Sequence, residues 1–310
     1  MLTPTLILFV LLAGVGFGLM TIAYRLGQER GVPTQAIVFV IGLAGTAYCV
    51  ASTWPVPFWH APWQTWGGGI AIGFSQYLLT LLIAAALRRG PLSPLNCALF
   101  LGFVLIILMA RLRWNETLSV LQGIGVALAV LCVIVASFQT DEQPKENPQP
   151  RTVRTWLIYA SLLAGLFFVN AISNGAFKVL GMLPTSGVNS YANLYGNHYL
   201  TTLYLTLGVC LGLDILLRAK PQGPLRWRIG LGLVAGLGSV VGMSLMRLCA
   251  SLPAAFTFPV VALTLILGGS LVSVFCFGER TSRAWWAMMA SGCLAAGCLI
   301  ADALTKVVRG

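Results

Sequence analysis

Apolar runs near 20 residues long recur about ten times along the chain, and the segments between them hold nearly all of its Arg, Lys, Asp and Glu. They read as approximately 5–24, 34–53, 67–87, 91–110, 118–137, 155–175, 198–217, 229–248, 252–276 and 284–303. A helix crosses a hydrocarbon core of about 30 Å with roughly 20 apolar residues, so each run has the length of a span. Runs such as Leu121 to Ala136 do not alternate apolar with polar positions, as a barrel strand would. The pattern predicts an all-α integral membrane protein with about ten transmembrane helices. The first run lacks a basic start and a small-residue cleavage site and is too long for a signal-peptide core, so it reads as a retained helix.

The most polar stretch, Thr140 to Arg154, is rich in Pro, Gln, Glu and Lys and divides the apolar runs five and five. A shift of 151 lays Leu11-Leu12-Ala13-Gly14 on Leu162-Leu163-Ala164-Gly165 and Pro33 on Pro184. Near the end of each half the shift becomes 163, placing Glu116 on Glu279 and Ser119 on Ser282, with the longer loop Arg218 to Arg228 absorbing the difference. The expected organisation is a first five-helix repeat over 1–139, a polar linker over 140–154 and a second repeat over 155–310. An odd number of crossings per repeat makes the second copy enter from the opposite side, so the repeats are expected to be inverted, an architecture that recurs in alternating-access carriers.

Composition narrows the function classes. Hydrophobic residues make up 58% and charged ones 9%, against roughly 25% charge in a soluble domain. The net charge of +11 is scattered over short loops, without the basic stripe and interleaved aromatics of a nucleic-acid surface. The eight cysteines form no CxxC pair and read as small core residues. His60 and His198 lie in different halves with no ligand at metal spacing, so no metal or cofactor is expected. Expected partners are a small-molecule substrate and the lipid bilayer, with monomer and homodimer both open. The location expected is the bacterial cytoplasmic (inner) membrane.

Two helical hairpins, Ala86-Leu87-Arg88-Arg89-Gly90-Pro91-Leu92-Ser93 through Asn115-Glu116-Thr117-Leu118-Ser119, and Met246-Arg247-Leu248 through Phe277-Gly278-Glu279-Arg280-Thr281-Ser282, resemble the ten-helix EamA-like members of the drug/metabolite transporter superfamily. The turn motif Gly278-Glu279-Arg280 is whole in the second half, whereas the first half has Asn115-Glu116-Thr117. The resemblance implies a secondary transporter of small metabolites with a central cavity lined mainly by helices 1, 3, 4, 6, 8 and 9. It names no substrate.

Candidate substrate contacts are polar side chains within spans. Asn170, Ser173 and Asn174 lie on helix 6, with positions 170 and 174 stacked on one face; Gln76 and Tyr77 lie on helix 3 and Asn96 on helix 4. Each could equally be interhelical glue. Arg247, at the end of helix 8, either snorkels to the interface or meets a substrate carboxylate or phosphate. His198 is the candidate for proton coupling, its ordinary pKa being about 6.5. Glu116 and Glu279 read as caps of following helices or loop ion pairs. Glycines four apart, Gly14 with Gly18, Gly69 with Gly73, Gly232 with Gly236 and Gly238 with Gly242, read as helix-packing faces. Pro259 is expected to kink or break helix 9.

The spans hold no mid-membrane carboxylate to share between a proton and a hydrophobic cation. This favours a neutral, zwitterionic or anionic metabolite, amino-acid-like or sugar-like, over the alternative of an exporter of drugs or organic cations. A membrane enzyme acting on a lipid-linked substrate would need clustered His, Asp or Glu, which the sequence lacks. Orientation stays open: cytoplasmic termini would place only Arg111, Arg113, Lys178, Arg247, Lys306 and Arg309 of the 19 Lys and Arg inside, against the positive-inside rule.

Overall fold

The structure is a computed structural model that describes residues 3–53, 61–87, 92–137, 153–183, 191–218, 223–278 and 281–309. The linker over 140–154 thus falls almost wholly outside the described residues. These residues form α1 (Pro4–Glu29), α2 (Thr34–Thr53), α3 (Trp63–Leu87), α4 (Leu92–Trp114), α5 (Val120–Ser137), α6 (Val153–Gly181), α7 (Tyr191–Arg218), α8 (Leu225–Leu248), α9 (Ala254–Phe277) and α10 (Arg283–Arg309). Nine have the length and hydropathy of a span, and the shorter α5 supplies an apolar helix over Val120–Ala136. The protein is a multi-pass integral membrane protein. Large apolar side chains at helical spacing on the outside, such as Leu8, Leu12, Val15 and Leu19 on α1, form the surface that lipid covers.

Helices α6 and α7 run further than their apolar windows, to residue 181 and from residue 191. Polar residues in these extensions, Lys178 and Asn197 among them, find partners inside the protein, so the helix continues past the lipid-like stretch. α9 runs unbroken through Pro259. A proline removes one i to i−4 bond, here to Ala255, and in the second turn of α9 the expected break does not occur.

The chief helix pairs are α1 with α8, α2 with α7, α5 with α10, α3 with α7, α2 with α8, α1 with α9, α4 with α6 and α3 with α6. Exchanging each helix for the one five places along maps this set onto itself, the pairs α2 with α7 and α5 with α10 each onto themselves and the other six onto one another. Lipid offers little hydrophobic drive between helices, so close backbone approach supplies the contact. A Cβ built on Gly42 would lie 2.8 Å from Gly208 Cα, and one on Gly16 would lie 2.8 Å from Gly238 O. Of the eight glycines at spacing four, all but Gly18 lie against another helix. Cys276 and Cys293, expected in the core, are exposed instead.

Candidate functional site

Two walls of three helices face each other. One consists of α3, α4 and α6, the other of α1, α8 and α9. Successive spans alternate in direction, so the α4–α5 and α8–α9 turns share one membrane face, here face A, and the α9–α10 connection lies on the opposite face B.

Burial is uneven between the faces. The buried cluster that spans both walls draws Phe103, Ile106, Ile107 and Ala110 from α4 and Ala254 through Ile266 from α9, from the middle of each helix to its face-A end. A second cluster takes only Ile72, Phe177 and Leu180 from the first wall, again towards face A. The face-B halves of α3, α4 and α6 pack among themselves through Leu79, Ala86, Leu95, Tyr159 and Leu166. Among the described residues the walls therefore bury side chains against each other chiefly on the face-A side.

A layer of polar side chains lies where these clusters meet. On α6 it occupies positions 170 to 174, between Leu166 and Phe177, and on α3 position 76, between Ile72 and Leu79. Gln76 Nε2 donates to Ser173 Oγ at 2.7 Å, and Asn170 Nδ2 donates to the Leu99 carbonyl of α4 at 2.6 Å. Asn174 Nδ2 donates to Asn170 Oδ1 at 2.8 Å. Ser173 is fully buried, whereas Gln76, Asn170 and Asn174 are half-buried. Gly102 leaves room for the Asn170 amide, which lies 3.3 Å from where a Cβ would stand. Four of the sequence-selected residues thus form two hydrogen-bonded pairs near mid-helix, Gln76 with Ser173 and Asn170 with Asn174, with half-buried Tyr77 adjacent. Asn96 lies on α4 near face B, and its side chain is outside the described residues.

Arg247 stands apart from this layer. Its guanidinium donates to Asn197 Oδ1, and the Asn197 amide is oriented by a bond to the Ser52 carbonyl at 3.4 Å, so its neighbours are α7 and α2. Gly196 lies directly beneath the arginine side chain. His198 is 4% exposed in the second turn of α7, edge-on to Tyr195 at 6.3 Å between ring centroids. Asn197 escaped the sequence reading because the apolar window of α7 starts one residue later.

Glu116 is both cap and ion-pair partner, but the helix it caps is not the following one. Glu116 Oε1 pairs with Lys178 Nζ on α6, and Glu116 Oε2 accepts from the Ala254 N–H of α9 at 2.9 Å. Lys178, 1% exposed, also donates to the Leu252 carbonyl at 2.7 Å. α5 is capped by Ser119, whose Oγ accepts from the Gln122 N–H at 3.1 Å while Gln122 Oε1 accepts from the Ser119 N–H at 3.2 Å, a capping box. Ser282 likewise caps α10 through the Trp285 N–H at 3.1 Å. Glu279 and Arg280 lie outside the described residues. Concavities of about 370 Å³ and 310 Å³ are both at the face-A end of α4, lined by residues such as Leu108, Met109 and Arg113, or Arg111, Asn115 and Thr117, away from the polar layer.

The fold and its mid-depth polar layer define a polytopic helical membrane protein with a candidate binding region in the wall of α3, α4 and α6. Residues 4–138, somewhat under half of the chain, match the model of the EamA-like transporter family, the family whose turn motif and helix count this chain resembles. The matched region is the first half, although the turn motif reads more fully in the second. No curated protein matches the chain. Among the solved structures that match, one crystal structure superposes with a TM-score of 0.76 at 14% identity, over 97% of this chain and 98% of that one, a likeness of fold.

Proposed function

We propose that the chain is a secondary transporter that moves a small neutral, zwitterionic or anionic metabolite by alternating access, with Gln76, Asn170, Ser173 and Asn174 as its substrate-binding layer. The observation that carries this reading is the pair of neighbouring hydrogen-bonded contacts, Gln76 with Ser173 and Asn170 with Asn174, set at mid-depth between apolar clusters. Amides at this depth exchange donors and acceptors with a polar solute without the cost of burying a charge. The symmetric helix pairing supports two inverted repeats, 1–139 and 155–310, on either side of the linker, and the bacterial cytoplasmic membrane is the location that fits.

A thermal-shift screen of the detergent-purified protein against amino acids, sugars, nucleotide sugars and organic cations tests it, because a ligand of the folded state raises the melting temperature. The expected result is stabilisation by one metabolite class, lost in Asn170→Ala. Stabilisation by hydrophobic cations alone would overturn the substrate class and make the chain a drug exporter.

A further inference from the structure

Resting on the alternating-access reading, we propose that Glu116 and Lys178 form a two-pronged clamp that holds the walls shut at face A and must release for the carrier to open there. The two side chains pair with each other on the first wall, at the α4–α5 turn and the end of α6. From that pair, one prong reaches the Ala254 N–H and the other the Leu252 carbonyl, both in the turn and first residue that lead into α9. The N-cap of α9 is Pro253, which offers no side-chain acceptor. The first N–H groups of a helix need an acceptor from elsewhere, and Glu116 supplies it from the opposite wall.

The clamp is shaped on both sides. Asn115 has a left-handed backbone, φ 53°, at the turn from which Glu116 extends. At the end of α6 a Cβ on Gly181 would strike the Ala250 backbone, so a residue without a side chain lets the helix seat against the α8–α9 turn. Release breaks only the two bonds to that turn. Glu116 and Lys178 stay paired on their own wall, so neither charge is stranded, and a contact of this kind can open and close repeatedly. Its place also matches the distribution of burial, since the walls are packed together on this face and the face-B halves of α3, α4 and α6 keep to themselves.

Two cysteine reporters test the clamp in the full chain reconstituted into lipid vesicles. Cys249, fully buried in the α8–α9 turn, serves as the face-A reporter with the other seven of the eight cysteines replaced by alanine. Ser273→Cys, on the face-B half of α9, serves as the face-B reporter in a chain with all native cysteines replaced. Glu116→Ala, which removes the acceptor of the Ala254 N–H, and Lys178→Met, which removes the donor to the Leu252 carbonyl, are each expected to speed N-ethylmaleimide labelling of Cys249 about tenfold, through a shifted two-state equilibrium. The same variants are expected to slow labelling of Ser273→Cys, because opening one face closes the other. Acceleration of both reporters means that the pair only supports packing and overturns the clamp, as does unchanged labelling of Cys249 in variants that remain folded. Wild-type vesicles given a mixture of radiolabelled amino acids and sugars test the carrier reading separately: uptake that never saturates sinks that reading whatever the reporters do.

Discussion

Asn115 and Gly278 end α4 and α9 in the same left-handed backbone conformation, with φ of 53° and 65°, and the 163-residue shift that aligns the two hairpins lays one on the other. A helix often closes with a left-handed residue, usually glycine, and asparagine is its commonest substitute. The turn of the first half is therefore the same turn written with a different residue. Asn115→Gly is expected to leave the melting temperature unchanged or slightly raised, and Asn115→Val to cost about 1–2 kcal/mol through its β-branched side chain. Thermal unfolding of the purified variants in detergent checks both.

The ion pair beneath that turn is asymmetric in burial, the Lys178 side chain being 1% exposed and that of Glu116 22%. Removing the carboxylate strands a buried ammonium and also uncaps α9, whereas removing the lysine leaves a carboxylate that water can reach. Glu116→Ala is expected to cost about 3 kcal/mol or more, more than Lys178→Met costs. The double variant is expected to be more stable than Glu116→Ala alone. A double-mutant cycle of thermal stabilities measures this, and a purely additive result would contradict it.

Glycine packing separates by position in the same way. Gly42→Ala would place its methyl 2.8 Å from Gly208 Cα and 3.2 Å from the Tyr204 carbonyl oxygen, and backbone of the neighbouring helix cannot turn aside as a side chain can. A loss of about 1–3 kcal/mol is expected from such overpacking. Gly18→Ala meets nothing within 4 Å and is expected to be neutral or mildly stabilising. Melting temperatures of the two variants, measured side by side, distinguish packing from a general need for glycine.

Arg247 and Gly196 form a third unit, in which the arginine lies over a helix backbone that has no side chain at that point. Gly196→Ala is expected to dislodge the guanidinium from Asn197 and to lower stability by about 1–3 kcal/mol. Combining it with Arg247→Ala is expected to recover part of that loss, because the clash disappears with the arginine. A double variant no more stable than Gly196→Ala alone would show that the glycine serves some other contact.

The sequence by itself determined the elements and their number. Lipid provides no hydrogen bonds to the backbone, so a span must be a helix of sufficient apolar length, and that requirement is written locally in runs such as Leu121 to Ala136. It also placed Asn170, Ser173 and Asn174 together, since one helix face is a matter of spacing. Only the tertiary structure decided that Gln76 bonds Ser173, that Asn197 receives Arg247, and that Glu116 caps α9 in place of α5. Those choices join residues far apart in the chain, through polar groups whose partners depend on which helices meet and at what depth, and no periodicity along one helix records that.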